Sequence, residues 1–375
     1  MDSKEAQDKR KEAEIPLFKM IPKLRGTVPY VSLTNGPTPI FKMEKLGELL
    51  GHDALYCKDD GVTATGYGGN KPRKLEFILS DALAKGAKRV ITYGGAGSNH
   101  ALATAAHAKT LGMACTAILC HQPKTISCHK NLMYHSVVGT ELILSPFREW
   151  NKNTEEAVQK WEKEEGVAPY IVPGGGTCVH GVLGYINAVL ELGEQIKTGA
   201  MPSPDVIYVA AGTFGTVAGI TIGLKLLKEK ATVKPIRVSF PQYFPQTKYD
   251  TLLEEVCTLL KEKGEIPIEL PDEKERKIID DYYGAGYAVE TPEYLELLET
   301  IVKLEKMELE TTYTIKPMTA LIDDVKKGNL EGKVALFWRT NNSNNLIPII
   351  EKGDAQKLPK EFQDYIKSDY TMPSI

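Results

Sequence analysis

Apolar positions along the chain follow two rhythms. From residue 75 they fall at Leu75, Ile78, Leu79, Ala82 and Leu83, the spacing of a helix with one buried face. Gly86 closes that pattern, and RVITY at 89–93 is the short apolar run of a buried strand. The loop GGAGSN, a helical ALATAAHAKTLG and a strand ACTAILC complete a βαβ unit, which is expected to be right-handed and parallel. Further runs at 142–144, 170–172, 206–211, 236–240 and 334–338 predict strands, and 182–192 and 216–228 are the clearest helices between them. Strands and helices alternating this densely predict an α/β fold with a mainly parallel sheet. Ligands of such sheets bind at the carboxyl ends of the strands.

Composition sets outer bounds. The chain has 375 residues, 42% hydrophobic and 25% charged, enough for large cores in more than one domain. A net charge of −3 speaks against a nucleic-acid or membrane surface, and neither partner is expected. No apolar run reaches membrane-spanning length. The opening MDSKEAQDKRKEAE has no apolar stretch of a secretory signal and reads as a solvated arm or exposed helix, so the expected compartment is the cytoplasm. Cys57, Cys115, Cys120, Cys128, Cys178 and Cys257 are scattered and read as reduced thiols. Cys120-His121 and Cys128-His129 have the side chains of a zinc site without its paired spacing, and read as loop-end residues; no metal is expected.

Three glycine-rich turns follow predicted strands. Gly212, Thr213, Phe214, Gly215 and Thr216 offer backbone N–H groups and two hydroxyls at a helix start, where a phosphate would be received. The turn is neither a Walker loop nor GxGxxG, and taken alone it reads more readily as a tight turn needing glycine. In GGAGSNH, Ser98 and Asn99 can cap the next helix, while Gly94, Gly95 and Gly97 suggest that an anion such as a carboxylate approaches the backbone. Gly174–Gly176 form the third, either a hinge between domains or a turn lining a cofactor.

GGNKPRKLEF at 68–77 puts two lysines at a helix amino end, where cations are unfavourable. A phosphate ligand would make Lys74 its counter-ion. A second cation and the helix end would lower the pKa of Lys71, leaving an amine able to attack an aldehyde. Pyridoxal 5′-phosphate (PLP) meets both requirements. Taken alone, the pair reads more readily as two solvated surface lysines.

At these residues the chain resembles a known family. GGNKPRKLEF, GGAGSNHALATAA, PYIVPGGGTCVHGVLGY, VAAGTFGTVAG, DDYYGAGYA and YTIKPM occur in the order seen in D-cysteine desulfhydrase and 1-aminocyclopropane-1-carboxylate (ACC) deaminase, over roughly 36–340. The resemblance implies fold type II of the PLP enzymes: two three-layer α/β domains with mainly parallel sheets and the cofactor in the cleft between them. The larger domain would comprise 1–73 and 184–375, with 1–25 as an extension, and the smaller 74–183. It implies Lys71 as the Schiff-base lysine, positioned by Asn70, and Lys74 with the Gly212–Thr216 turn as the phosphate site. Asn99 would bind the phenolic oxygen, and Ser98 with the Asn99 and His100 amides the substrate carboxylate. Tyr313 would stack on the pyridine, Tyr287 would serve in proton transfer, and Thr314 would face the pyridine nitrogen. A homodimer is implied as well.

Thr314 matches D-cysteine desulfhydrase, where ACC deaminase has glutamate, so β-elimination from D-cysteine is the expected reaction. ACC ring opening, a cysteine-synthase-like β-replacement and a non-catalytic homologue stay as alternatives. The chain departs from the pattern at Gly97, where a glutamine is usual, at HALATAA, where an arginine is replaced, and at Glu310-Thr311-Thr312. It also has WRTNNSNN where the family has His-Thr-Gly-Gly, so Arg339, Asn341 and Asn342 are expected to line the pocket, with Arg339 binding substrate.

Overall fold

The computed structural model describes residues 15–366, and the arm expected at 1–14 lies outside them. Among the described residues nine strands run in chain order: β1 (Ile40–Lys42), β2 (Leu55–Asp59), β3 (Arg89–Gly95), β4 (Ala114–Cys120), β5 (Glu141–Leu144), β6 (Tyr170–Ile171), β7 (Val206–Ala211), β8 (Thr232–Arg237) and β9 (Ala335–Arg339). They form two sheets, one in each of two compact units. Among the described residues no helix is long and apolar enough to cross a membrane.

The first unit takes the chain up to Asp81 together with Gly176–Asn344. Its sheet has the order β1-β2-β9-β7-β8, antiparallel only at the β1 edge. Alternate residues point to opposite faces of a strand. Ile207, Val209, Leu336 and Trp338 accordingly enter one apolar cluster, and Val206, Tyr208, Ala335 and Phe337 another. Both faces are therefore buried under helices, which makes three layers. β8 begins and ends earlier than the 236–240 expected. Pro235 has no N–H to give, and β8 lies at the sheet edge, where a proline is tolerated.

The second unit comprises Ala82–Gly175 and the chain from Asn345 on. Its sheet, β5-β4-β3-β6, is parallel throughout. The sequence reading carried the larger domain through to 375. In the structure Leu358, Phe362 and Tyr365 instead pack with Ala117, Leu119 and Leu132, which places the described residues from 345 on with the second unit.

The helix Lys71–Ala84 starts at the lysine, and Pro72 costs it nothing because the first N–H groups of a helix have no partner anyway. Buried charge fixes its position. The Asp60 carboxylate accepts from Arg73 Nε (3.1 Å) and Nη2 (2.8 Å), Tyr185 Oη (2.6 Å), Trp338 Nε1 (2.8 Å) and Thr38 Oγ1 (2.9 Å). Glu191 accepts from Arg73 Nη1 (2.9 Å) and Lys58 Nζ (2.6 Å). Gly184 lets the helix Val179–Lys197 come close: a Cβ there would lie 2.0 Å from the Arg73 carbonyl oxygen.

Burial pushes Glu191 up, but Arg73 and Lys58 outweigh it and hold the carboxyl at about 2. A carboxylate held low contributes stability that is fully present above its unfolded value of about 4.3. That contribution is lost as pH falls through about 2. Arg73→Met leaves the buried Asp60 carboxylate without its cation and Glu191 with Lys58 alone, and is expected to cost about 3–5 kcal/mol in urea unfolding at pH 7. The cost should shrink between about pH 4 and pH 2. A loss below about 1 kcal/mol at pH 7 would contradict this account.

Candidate active site

Within the first unit, Lys71 sits half-buried at the head of its helix. Loss of solvent brings its amine down to about 8, against the opposing charge of Glu310. The cause differs from the one expected, since burial leads. The repulsion between the lysines instead marks Lys74, which burial first and Lys71 second push well below the ordinary lysine value.

The turn after β7 forms a cradle beside Lys74. A Cβ on Gly215 would come 3.0 Å from Lys74 Nζ and 3.1 Å from Thr177 Oγ1, so glycine is needed for close approach. The Thr177 and Thr213 hydroxyls are 2.6 Å apart, and Asn70 Nδ2 donates to Thr216 Oγ1 at 3.0 Å. Phe214 holds a left-handed backbone, φ 72°, with its ring buried against Phe244 and Tyr249. Hydroxyls, a buried amine and the amino end of the helix Gly215–Leu227 suit a phosphate dianion. With the Lys71 amine, the set fits PLP.

The Tyr287 and Tyr313 hydroxyls meet at 2.5 Å, and Phe240 lies against Tyr287. Glu310, noted in the sequence only as a departure, accepts the N–H groups of Thr312, Tyr313 and Thr314 at 2.9–3.0 Å. It thereby holds the turn that carries Tyr313. Thr314 Oγ1 accepts from the Glu310 N–H at 3.0 Å and lies 3.3 Å from its carboxylate. Lys316, 1% exposed, donates to the carbonyls of Tyr283 (2.7 Å) and Gly286 (3.2 Å), tying the Tyr287 loop to the helix Ile315–Lys326. An acid just before a helix start was a readable capping signal. The partners of Lys316 and Thr177 lie tens of residues away, and no local pattern pointed to them.

In the second unit, Ser98 caps the helix Asn99–Thr110 by accepting the Ala101 N–H at 3.2 Å. Asn99 Oδ1 accepts from Asn131 at 2.9 Å, and the His100 ring lies 2.9 Å from the Thr92 hydroxyl. The glycines here serve the protein's own packing. A Cβ on Gly94 would lie 2.3 Å from Ser98 Oγ, and one on Gly97 2.8 Å from Cys128 Sγ. The second distance explains why no glutamine stands at 97. Among the described residues no group of three or more His, Cys, Asp or Glu side chains is arranged to hold a metal.

Arg339 departs from its expected substrate role. It pairs in register with Asp59 across β2 and β9 and gives Nη1 to that carboxylate at 3.1 Å. Nη2 goes to the Glu308 carbonyl at 2.5 Å and Nε to Asn341 at 3.3 Å, so its donors are taken up inside the unit. Asn341 and Asn342 bond neighbouring backbone: Asn341 to the Glu308 carbonyl, Asn342 to the Gly68 N–H.

Known proteins place this geometry in company. Residues 31–339 match the family described as pyridoxal-phosphate dependent enzyme. A Pyrococcus horikoshii protein provisionally named 1-aminocyclopropane-1-carboxylate deaminase is 35% identical over 84% of this chain and 93% of its own. A crystal structure described as an ACC deaminase homologue is 32% identical, with a TM-score of 0.76 over 90% of this chain and 98% of that one. A threonine deaminase from Solanum lycopersicum, 14% identical with a TM-score of 0.58 over 89% of this chain and 87% of its own, shares the fold.

Glu310 opposes the lowering of the Lys71 amine, so Glu310→Gln is expected to move the Lys71 titration below about 8. Methylating the lysines with ¹³C-formaldehyde and following the Lys71 signal by NMR against pH measures it. An unmoved or raised midpoint would remove Glu310 from the site's electrostatics.

Proposed function

The chain belongs to the pyridoxal-phosphate-dependent enzyme family, and from that footing we propose that it is a lyase releasing ammonia from a small amino acid, with β-elimination from D-cysteine as its reaction. Its cofactor is PLP. The observation that carries the proposal is one unit joining a reactive amine, a phosphate cradle and a paired tyrosine relay. Lys71 would hold the cofactor through its aldehyde. Lys74, Thr213, Thr216 and the helix amino end would hold its phosphate. When bound, the cofactor supplies an electron sink for charge left at the substrate Cα.

The residues then divide the proton work. Lys71 Nζ takes the Cα proton. The Tyr287–Tyr313 pair delivers a proton to the sulfur as the C–S bond breaks with its electrons on the leaving group. Water adds and ammonia leaves, so that D-cysteine and water give pyruvate, hydrogen sulfide and ammonia.

Opening of ACC to 2-oxobutanoate and ammonia is the second reading. Two observations favour it: the names of the relatives, and the Glu310 carboxylate 3.3 Å from the Thr314 hydroxyl, an acid where residue 314 itself has none.

Incubation with D-cysteine, L-cysteine and ACC, with sulfide and 2-oxo acids quantified, separates the readings. Equal sulfide and pyruvate from D-cysteine are expected, and a fall of at least about a thousandfold with Lys71→Ala. 2-Oxobutanoate from ACC with no sulfide from either cysteine would replace the first reading by the second.

A further inference from the structure

The segment that follows β9 is asparagine-rich, and it holds backbone elsewhere in the first unit at successive points. The Thr340 carbonyl accepts the Asn70 N–H at 3.0 Å, immediately before Lys71. Asn342 Oδ1 accepts the Gly68 N–H at 2.7 Å. Asn344 Nδ2 donates to the carbonyls of Ala64 (2.7 Å) and Gly66 (3.0 Å). At its other end, Arg339 and Asn341 grip the Glu308 carbonyl at 2.5 and 3.0 Å, two residues before Glu310.

We propose that Arg339–Asn344 is a positioning strap that holds the 61–70 loop, and with it Lys71, in register with the Glu310–Tyr313 turn. The proposal rests on Lys71 being the cofactor lysine. Asparagine suits the task because one short side chain offers both an acceptor and a donor. The loop is shaped to receive it. Gly69 has φ +81°, and a Cβ on it would stand 2.9 Å from the Thr340 oxygen, while one on Gly68 would meet the Gly61 carbonyl at 2.2 Å. Asn70 closes the arrangement, since its N–H goes to the strap and its side chain to Thr216 of the phosphate cradle. An amine reacting with a bound aldehyde needs this precision, because a misplacement of about 1 Å costs on the order of a hundredfold in rate.

The strap residues touch neither cofactor nor substrate on this account. Their effect should therefore appear in how firmly Lys71 and the cofactor stay joined. Borohydride reduction of the holoenzyme, followed by peptide mass spectrometry, is expected to locate the cofactor on Lys71. Hydroxylamine, a small competing nucleophile, should then strip PLP from unreduced Asn342→Ala roughly tenfold or more faster than from the parent protein, followed by absorbance. Asn342→Asp keeps the acceptor for the Gly68 N–H and should release at within about twofold of the parent rate. Asn344→Ala, which frees the Ala64 and Gly66 carbonyls, gives the same reading if Asn342→Ala does not fold. Parent-like release from whichever alanine variants fold would overturn the strap, and so would an aspartate variant as fast as the alanine one. Label absent from Lys71 in the parent protein would overturn the assignment of Lys71 and the strap with it.

Discussion

The pairing of Arg73 with Asp60 and Glu191 is the constraint on which the rest of the first unit depends. Arg73 lies two residues beyond Lys71 and one before Lys74, so whatever fixes Arg73 fixes both amines. Its partners come from the turn after β2 and from the helix Val179–Lys197, and Trp338 of β9 joins at Asp60. Taking these charges out of water is costly, and the cost is met only when every donor finds its acceptor. The helix carrying the lysines therefore has one acceptable seat. A weaker apolar contact would tolerate a slide of an ångström, whereas a forked guanidinium between two carboxylates does not.

From that seat the chemistry follows by exclusion of water. Lys71 is lowered because solvent is kept from it, and Lys74 because it is enclosed beside another amine. The environment thus disfavours the charged form of both groups but suits them to different tasks. An aldehyde makes use of a neutral amine, whereas a phosphate restores charge to a buried one. Glu310 moderates the first effect and at the same time anchors the Tyr313 turn. The same carboxylate thus enters both the electrostatics and the geometry.

Much of this was legible in the order of residues. The spacing of Lys71 and Lys74, the glycine turn after β7 and the alternation of strands and helices pointed to an α/β fold with a phosphate and an aldehyde to bind. What was not legible depended on contacts far apart in the chain. Arg339 read as a pocket residue because its partner, Asp59, precedes it by 280 positions. The asparagines after it read as pocket lining because the loop they hold is equally remote. Gly94 and Gly97 read as room for an anion, but they make room for Ser98 and Cys128. The family resemblance put the closing segment with the larger domain, while Leu358, Phe362 and Tyr365 follow the apolar surface available to them.

Phe214 has a wider consequence. A phenylalanine in the left-handed region is strained by roughly 1 kcal/mol or more, and glycine would relieve it. Its ring, however, is driven into the core between Phe244 and Tyr249, and that burial outweighs the strain. The cradle's curvature is thus imposed from behind by the hydrophobic core and exists before any anion arrives. On the proposed reading, a phosphate entering this turn would therefore find its shape already set, with little entropy left to lose.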